Sequence, residues 1–440
     1  MSSHFSLRMQ HPTYSIPSLI HPDSLFPRRG YNSPSRLNSK EIIVELSTRV
    51  QAIKPSPTLA VTARAAKLKA EGKDIIGLGA GEPDFDTPQH IKDAAIGAIN
   101  RGFTKYTAVG GTPSLKAAVI AKFKRDNGLD YTAKQILVSC GGKQSFFNLA
   151  LAVINPGDEV IIPAPYWVSY PDIVLIAEGK PVIVEAGIEQ GFRMTAAQLA
   201  AAITPKTRMV VINSPSNPSG AVYTFEELKA LGEVLRKHPQ VLIATDDMYE
   251  HIALTDAKFA NILNACPDLY PRTMVLNGVS KAYSMTGWRI GYAAGPENII
   301  TAMENVQSQS TANPTSISQV AAEAALNGDQ GCITPMLKAF RERHVFVVNE
   351  LNKIPGVQCI MAGGAFYAFP DMRPAIARLH QRGTIKAATD IALSEYLLEQ
   401  GGVAVVPGSA FGSEGYVRLS FATSMENLRM ALERIARALS

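Results

Sequence analysis

Short apolar runs recur through the middle of the chain, and each is bounded by glycine, proline or charged residues. These runs predict strands at Ile136–Ser139, Glu159–Ile162, Pro181–Glu185, Arg208–Asn213, Val241–Thr245, Thr273–Leu276 and Ile290–Ala293. Between many of them the apolar positions recur with a helical period, as at Ser145–Ala152, Ala196–Ala202 and Phe225–Arg236. This alternation predicts an α/β fold with a mostly parallel seven-stranded sheet, whose ligands bind beyond the carboxyl ends of the strands.

The pattern differs on both sides of this region. Upstream, we expect helices at Glu41–Ile53 and Val61–Glu71 and a short strand at Ile75–Gly79. Downstream, Pro296–Asn327 is mostly helical and is followed by helices at Gly331–Leu351, Asp390–Gln400 and Ser424–Leu439 and strands at Val357–Met361, Ala365–Phe369, Ala404–Val406 and Val417–Phe421. These elements predict a smaller α+β unit in the carboxyl-terminal part.

Composition narrows the functional classes. With 440 residues, 46% of them hydrophobic, the chain can build a large core, and its length predicts two or three domains or one large domain with an appendage. The formal net charge is only +5, and acidic and basic residues are mixed along the chain after residue 40. We therefore expect no nucleic-acid or membrane partner. The four cysteines are scattered without a CxxC pair, which predicts buried thiols in a reducing compartment and neither a disulfide framework nor a zinc or other metal site.

Residues 1–40 contain many prolines and serines, four arginines and a single acidic residue, Asp23. They lack the apolar core of a secretory signal. Arginine with little acid is typical of organelle transit peptides, but the repeated prolines break the amphipathic helix that such peptides form. We therefore expect a disordered tail or an over-long start.

A lysine and an arginine frame the most informative segment. The apolar strand Thr273–Leu276 leads to Lys281, and Arg289 follows eight residues later. A lysine at a strand end, partly out of water, loses its proton more readily and can attack a carbonyl. A nearby arginine can hold a phosphate. Aldehyde capture beside a phosphate clamp is what pyridoxal phosphate requires of a protein.

Two earlier strand ends carry groups that suit the same ligand. Gly141 and Gly142 open a helix, so their backbone N–H groups, with Lys143 beside them, favour an anion site. A simple strand-to-helix turn has the same glycine pattern. Trp167 follows the next strand and can stack on a flat ring, although an aromatic residue at this position can equally pack in the core.

Polar residues follow the later strands. Asn217, fixed before a proline, can donate a hydrogen bond to a phenolic oxygen or form an Asx turn. Asp246 can keep a pyridinium nitrogen protonated, but helix capping and the neighbouring Asp247 are competing assignments. Tyr249 can reach a ring oxygen. Arg418, alone in an apolar strand, needs a carboxylate partner, either from a substrate or from a structural salt bridge.

From about residue 41 to the carboxyl terminus, the chain resembles the class I/II (fold type I) pyridoxal-phosphate aminotransferases. Within that family it is most similar to the bacterial-type subgroup Ib aspartate aminotransferases, some of which also use prephenate. The matching strings are AGEPDFDTP, TKYT, GGKQ, PAPYWVSYP, NSPSNPSGAVY, DDMYEH, NGVSKAYSMTGWRIGYAAGP, GGAFYAF and VRLSFATS. After the tail of residues 1–40, the resemblance implies an N-terminal segment over 41–87 that joins the small domain, a large cofactor-binding domain over 88–325 and a small domain over 326–440.

The resemblance also implies a role for each matching residue. Lys281 would form the Schiff base with pyridoxal 5′-phosphate and shuttle the proton, while Asp246 would pair with the pyridine nitrogen. The other implied roles are hydrogen bonds to the ring oxygen from Tyr249 and Asn217, ring stacking by Trp167, phosphate binding by Gly142, the Lys143 backbone and Arg289, α-carboxylate binding by Arg418 with Asn217 and Gly81 nearby, and contact of Tyr106 with the neighbouring subunit's phosphate.

Substrate choice is implied by three residues. In subgroup Ib the lysine of GGKQ, here Lys143, recognises the side-chain carboxylate, and Lys54 and Thr58 match positions associated with prephenate use. Two departures from the family pattern occur. The common D-E-x-Y is D-D-M-Y here, which keeps Asp246, and Gly278 replaces a serine that binds phosphate in many relatives.

The implied activity is ping-pong transamination between amino acids and 2-oxo acids, with aspartate and 2-oxoglutarate as substrates and prephenate, converted to arogenate, as a second acceptor. A homodimer with shared active sites is implied as well. Rival interpretations on the same fold are a β-lyase, a cyclopropane-forming synthase and an aromatic or alanine aminotransferase, and Lys143 weighs against the last two. A rival from another class is a transcription regulator built on an aminotransferase-like domain. Such a protein needs an N-terminal DNA-binding domain, and 40 proline-rich residues cannot form a winged helix. A catalytically dead binding protein would carry these polar groups at a cost.

Overall fold

The computed structural model describes residues 44–55 and 57–440. The chain divides into two units, Met1–Leu46 and Ser47–Ser440. Of the first unit, residues 44–46 are described and belong to neither helix nor strand. The predicted tail of residues 1–40 lies outside the described residues. All described helices and strands belong to the second unit.

The α-helices are α1 (Thr48–Gln51), α2 (Pro57–Ala70), α3 (Gln89–Asn100), α4 (Pro113–Lys122), α5 (Gly142–Val153), α6 (Ser169–Ile176), α7 (Ala196–Ala202), α8 (Phe225–Arg236), α9 (Ile262–Ala265), α10 (Glu297–Ser308), α11 (Ser316–Asn327), α12 (Thr334–Asn352), α13 (Arg373–Gln381), α14 (Asp390–Glu399) and α15 (Met425–Leu439). A π-helical turn, Phe123–Asn127, extends α4. Short 3₁₀ helices lie at Ala133–Gln135, Ile188–Gln190, Pro267–Arg272, Thr286–Trp288, Gln330–Ile333 and Gly408–Phe411. Local sequence fixes several helix starts: Thr224 and Glu227, for example, form a reciprocal capping box at α8.

The strands are β1 (Ile76–Gly77), β2 (Ile136–Ser139), β3 (Glu159–Ala164), β4 (Lys180–Glu185), β5 (Thr207–Asn213), β6 (Leu242–Asp246), β7 (Thr273–Gly278), β8 (Gly291–Ala294), β9 (Tyr367–Ala368), β10 (Val403–Ala404), β11 (Val406–Pro407) and β12 (Val417–Ser420). Seven of them form the main sheet in the order β2-β8-β7-β6-β5-β3-β4. β8 is antiparallel to both its neighbours, and β3 to β7 pair in parallel, which confirms the predicted mostly parallel seven-stranded sheet.

The central strands of the main sheet are buried on both faces, and consecutive residues of each strand point to opposite sides. In β5, Val210 and Ile212 belong to one buried cluster, whereas Met209 and Val211 belong to another. The second cluster includes Phe146 of α5, so this helix packs directly on the sheet face. Continuous apolar strands of this kind are typical of a sheet buried on both sides.

Small sheets form from the two ends of the unit. β1 pairs in parallel with β10, and β12 lies between β11 and β9 with antiparallel pairing. The strand Val417–Ser420 is fully buried and contains Arg418. The predicted strand at 357–361 is wrong: Gln358 makes only an isolated bridge to Asp371. The predicted helix at Glu41–Ile53 is limited, within the described residues, to α1.

Across residues 44–55 and 57–440, no helix is both long and apolar enough to cross a membrane.

Candidate active site

The carboxyl ends of five strands meet along one edge of the main sheet. β2, β3, β5, β6 and β7 all run in the same direction through their pairing with each other and with β8. The residues at or just beyond their ends are Gly142, Trp167, Asn217, Asp246 and Lys281. Their meeting at one edge is the geometric reason that residues distant in sequence form one site.

A cavity of about 380 Å³ lies at this edge. The predicted residues that line it are Thr58, Gly81, Gly142, Lys143, Trp167, Asn217, Asp246, Tyr249, Lys281, Arg289 and Arg418. Two predicted residues do not line it. Lys54 borders a neighbouring pocket that shares Lys143 and Arg289, and Tyr106 is 93% exposed.

Lys281 is a cation held among other cations. Its Nζ donates a hydrogen bond to the carbonyl oxygen of Gly81 at 2.6 Å and lies 5.8 Å from the ring centre of Tyr249. Burial, followed by the positive charges of Arg418 and Arg289, lowers the pKa of Lys281 to about 8. A measurable fraction of this amine is therefore neutral, and hence nucleophilic, near neutral pH.

Asp246 ends β6 with both carboxylate oxygens hydrogen-bonded. The hydroxyl of Tyr170 donates to Oδ2 at 2.6 Å, and the backbone N–H of Met248 donates to Oδ1 at 3.3 Å. Burial raises the pKa of this carboxyl, while these two hydrogen bonds and the charge of Lys281 oppose the rise.

The side chain of Asp247, the competing aspartate, has other partners. Its Oδ1 accepts a hydrogen bond from the Thr245 hydroxyl and its Oδ2 accepts one from the Asn261 side chain. Burial raises its pKa to about 7. Asp247 does not border the cavity, whereas Asp246 does, so Asp246 is the carboxylate available to a ligand. Asp246 caps no helix of the described residues, although Met248 N–H closes a turn onto it.

Arg418 is a buried guanidinium with neutral partners. Its Nη1 donates to Oδ1 of Asn217 at 2.8 Å, and its Nη2 donates to the carbonyl oxygen of Gly79 at 2.7 Å. The guanidinium lies over the rings of Tyr367 and Phe411, at 4.5 and 4.9 Å from their centres. Within the described part of the chain, no carboxylate forms a salt bridge with Arg418, and its Nε has no hydrogen-bond partner. The structural salt bridge considered for Arg418 is therefore not found among these residues.

The segment just after β1 accepts hydrogen bonds from both Lys281 and Arg418. Gly79 accepts from Arg418, and Gly81 accepts from Lys281. A side chain at position 81 would also collide with the hydroxyl of Tyr367, since a Cβ there would lie 2.9 Å from it. Glycine at 81 thus allows the backbone to reach the amine.

Gly142, at the start of α5, and Arg289 line another part of the cavity. Gly141 precedes α5 with a φ of 90°, and a Cβ on it would lie 2.5 Å from Nη2 of Arg289. Arg289 itself is held by the carbonyl oxygens of Thr286 and Cys140. The first N–H groups of a helix have no acceptor within it, so α5 and Arg289 together present donors and positive charge suited to a phosphate.

Trp167 and Lys143 lie together on the cavity wall. Lys143 Nζ is 5.4 Å from the Trp167 ring centre, and partial burial, followed by the charge of Arg289, lowers the pKa of Lys143. Trp167 also packs against a core cluster, so stacking and core packing are compatible. The hydroxyl of Thr58 is buried without a partner among the described residues.

Sequence reasoning missed several residues of the site. Tyr367 is fully buried and shares a 2.8 Å hydrogen bond with the hydroxyl of Tyr249. Asn213 and Ser280 line the cavity, and Tyr170 contacts Asp246 from behind. Tyr367 and Tyr170 lie within GGAFYAF and PAPYWVSYP, but an aromatic residue in an apolar stretch gives no sign that its hydroxyl faces a site.

The sequence model of the family described as "Aminotransferase class I and II" matches residues 73–435. The aspartate/prephenate aminotransferase of Nitrosomonas europaea is 70% identical over 397 residues, which cover 90% of this chain and 100% of that protein.

Solved structures of aspartate aminotransferases are similar to this chain. The crystal structure of the aspartate aminotransferase from Rhizobium meliloti superposes with a TM-score of 0.85 at 50% identity, covering 90% of this chain and 99% of that one. The Thermus thermophilus aspartate aminotransferase with maleate gives a TM-score of 0.84 at 44% identity, covering 90% and 100% of the two chains.

Proposed function

Because this chain belongs to the aminotransferase class I and II family, we propose that it transfers the amino group of aspartate to 2-oxoglutarate with pyridoxal 5′-phosphate in the cavity at the sheet edge. Prephenate is the second amino acceptor that we propose, since the Nitrosomonas europaea relative is named for both substrates.

The residues of the cavity fit this cofactor. An amine with a lowered pKa, Lys281, suits covalent attachment to an aldehyde. A helix start and Arg289 suit the phosphate, Asp246 suits a ring nitrogen and Trp167 suits a ring face. When bound, pyridoxal phosphate supplies an aldehyde for the amino acid and a cationic ring that accepts the electron pair released at the α-carbon.

The protein's own groups supply the proton transfer. Lys281 Nζ, once released by the incoming amino acid, is the base that takes the α-proton and later returns a proton from the same atom. Its lowered pKa makes this exchange practicable near neutral pH. Tyr249 and Asn217 are the proposed donors to the ring oxygen.

One observation carries the substrate assignment: the buried Arg418 guanidinium has only neutral hydrogen-bond partners among the described residues. A buried charge without a counter-ion is costly. An α-carboxylate that binds Arg418 with two hydrogen bonds supplies that counter-ion. Lys143 is the proposed partner of the distal carboxylate, and Thr58 and Lys54 are the proposed contacts of larger acceptors.

The assembly is also a proposal. Tyr106, almost fully exposed, would serve the phosphate of a second copy of the chain, so we propose a homodimer with shared sites. We further propose that the enzyme acts in the cytoplasm, and that residues 88–325 and 326–440 are its large and small domains, with 41–87 joining the small one.

The test is an assay of the purified protein with aspartate and 2-oxoglutarate, in which oxaloacetate is followed by coupled reduction. Glutamate or aspartate with prephenate is assayed in parallel. We expect turnover, a yellow protein, and borohydride fixation of the cofactor on Lys281. Lys281→Ala should lose all three, whereas Lys124→Ala, at an exposed lysine, should keep them. A colourless protein, or full turnover in Lys281→Ala, would refute the proposal.

A further inference from the structure

Tyr170 is a buried tyrosine behind the site that the proposed mechanism does not use. It lies on α6, 1% exposed, and does not border the cavity. Its hydroxyl donates to Oδ2 of Asp246 at 2.6 Å. This short distance is typical of an O–H donor bound to a carboxylate.

Aromatic contacts hold the ring of Tyr170 in place. It packs edge-on against Trp167, with ring centres 5.2 Å apart and planes at 88°. On another side it packs against Phe146 at 4.8 Å. The same side chain therefore touches both the carboxylate proposed for the ring nitrogen and the indole proposed for the ring face.

The groups around Asp246 show how the Tyr170 hydroxyl affects the ionisation of this carboxyl. Lys281 favours the ionised carboxyl, the neighbouring Met248 N–H donates to Oδ1, and burial favours the neutral acid. The phenols of Tyr170 and Tyr249 stay neutral, because burial raises the pKa of each well above its ordinary value. Asp247 is the next residue along the chain from Asp246. Of the groups that stabilise the ionised carboxyl, Tyr170 has the largest effect.

A carboxyl group and a pyridine nitrogen facing each other share one proton. Hydrogen bonds to the ionised carboxylate lower its basicity and leave the proton on nitrogen. Without such a donor, the carboxylate is more basic and draws the proton to oxygen. A neutral ring is a weaker acceptor of electrons.

We propose that Tyr170 is a positioning residue that holds Asp246 as an oriented carboxylate, so that the bound cofactor keeps its proton on the ring nitrogen. The inference rests on the proposed function, since it requires pyridoxal phosphate in the cavity.

The test is Tyr170→Phe, which keeps the ring contacts and removes only the hydroxyl. The protein is loaded with pyridoxal phosphate labelled with ¹⁵N in the ring, and the nitrogen resonance is recorded against pH. We expect a pyridinium signal for the unaltered protein and a shift toward the neutral-pyridine position in Tyr170→Phe. We also expect kcat for aspartate to fall about 10- to 100-fold, as loss of a hydrogen bond to a charged group implies, with KM within about twofold.

Tyr131→Phe is the matched control, because the buried Tyr131 hydroxyl has no hydrogen-bond partner in residues 44–55 and 57–440. It should leave the nitrogen resonance unchanged. An identical ¹⁵N signal in Tyr170→Phe and the unaltered protein would overturn the inference while leaving transamination standing. Failure of the unaltered protein to bind the cofactor would instead refute the proposed function.

Discussion

Arg418 donates a hydrogen bond to the side-chain oxygen of Asn217 over 2.8 Å, although 201 residues separate them in the sequence. Both side chains are buried. Since Asn217 is uncharged, it orients the guanidinium without neutralising it. The full positive charge of Arg418 remains available to a ligand's carboxylate.

Asn217→Asp should therefore damage substrate binding more than Asn217→Ala. The new carboxylate would lie against Arg418 and act as an internal counter-ion that competes with the substrate. We expect kcat/KM for aspartate to fall about 100-fold or more in Asn217→Asp and about 10-fold in Asn217→Ala. Steady-state kinetics measure the difference, and equal losses in the two variants would contradict the competition.

The lowered pKa of Lys281, about 8, predicts how cofactor capture depends on pH. Only about one amine in ten is neutral at pH 7, so the rate of capture by the cofactor-free protein should rise about tenfold per pH unit and level off above pH 8. Arg418→Met removes one cation and should move the plateau to higher pH. Stopped-flow absorbance follows the rate, and a rate that still climbs at pH 10 would show an ordinary lysine.

The same shift affects stability. A lysine with a folded-state pKa of about 8 and an ordinary value of 10.5 binds fewer protons in the folded chain between these values. The cofactor-free protein should therefore gain stability from this group as pH rises from about 8 to 10.5, and Lys281→Ala should lack that gain. Urea unfolding at several pH values measures it.

Lys143 should separate dicarboxylic from monocarboxylic substrates. Lys143→Ala removes a cation from the cavity wall, so kcat/KM for aspartate should fall about 10- to 100-fold, while that for alanine should change less than about threefold. Lys143→Arg, which keeps the charge, is the control and should recover part of the loss. Similar losses on aspartate and alanine would assign Lys143 to the cofactor and not to the distal carboxylate.

Gly141→Ala should weaken cofactor binding through Arg289. The added Cβ would lie 2.5 Å from Nη2 of Arg289, and the alanine would have to adopt a φ of 90°. Gly157→Ala is matched, since its φ is 84° but nothing lies within 4 Å of its Cβ. Both variants should lose about 1–2 kcal/mol of stability from backbone strain, but only Gly141→Ala should raise the Kd for pyridoxal phosphate, by about tenfold or more. Equal Kd values in a fluorescence titration would count against this role of Arg289.

The buried pair Lys122–Glu250 should matter to stability and not to substrate choice. Lys122 is 1% exposed and Glu250 3%, and Lys122 also donates to Asn127 at 2.7 Å. Lys122→Met leaves a buried carboxylate without its cation, so we expect a loss of about 3–5 kcal/mol. Lys124→Met breaks the exposed pair with Asp130 and should cost less than about 1 kcal/mol. Thermal unfolding measures both, and similar losses would show that burial does not decide the effect.

Sequence patterns predicted the main sheet well because its strands are short apolar runs between clear breaks. Most of these strands are buried on both faces, so each appears in the sequence as a continuous apolar run, and the partly exposed edge strand β4 is the exception. The small sheets depend on partners: predicted strand Ala404–Val406 is two strands in the structure, because Val403–Ala404 pairs with β1 and Val406–Pro407 pairs with β12. The predicted strand at 357–361 is not formed, because only Gln358 finds a partner, in an isolated bridge to Asp371.

Within the site, sequence placed the functional groups at strand ends but could not choose between adjacent ones. Asp246 and Asp247 are neighbours, and only the packed structure shows that Asn261 and Thr245 occupy the second of them. Tyr170 was not predicted at all. Its hydroxyl meets a carboxylate 76 residues away, a contact that depends on how α6 packs against the sheet and leaves no local mark.

β7 and β8 pair antiparallel, with Gly278 opposite Gly291, so the loop that carries Lys281 and Arg289 leaves and re-enters the sheet at one point. The distance between the Lys281 amine and the Arg289 guanidinium is therefore set by this one hairpin loop. Arg418 belongs to a separate small sheet. The position of a carboxylate bound by Arg418 would therefore depend on where the small sheet lies, whereas the separation of Lys281 and Arg289 depends on the hairpin alone.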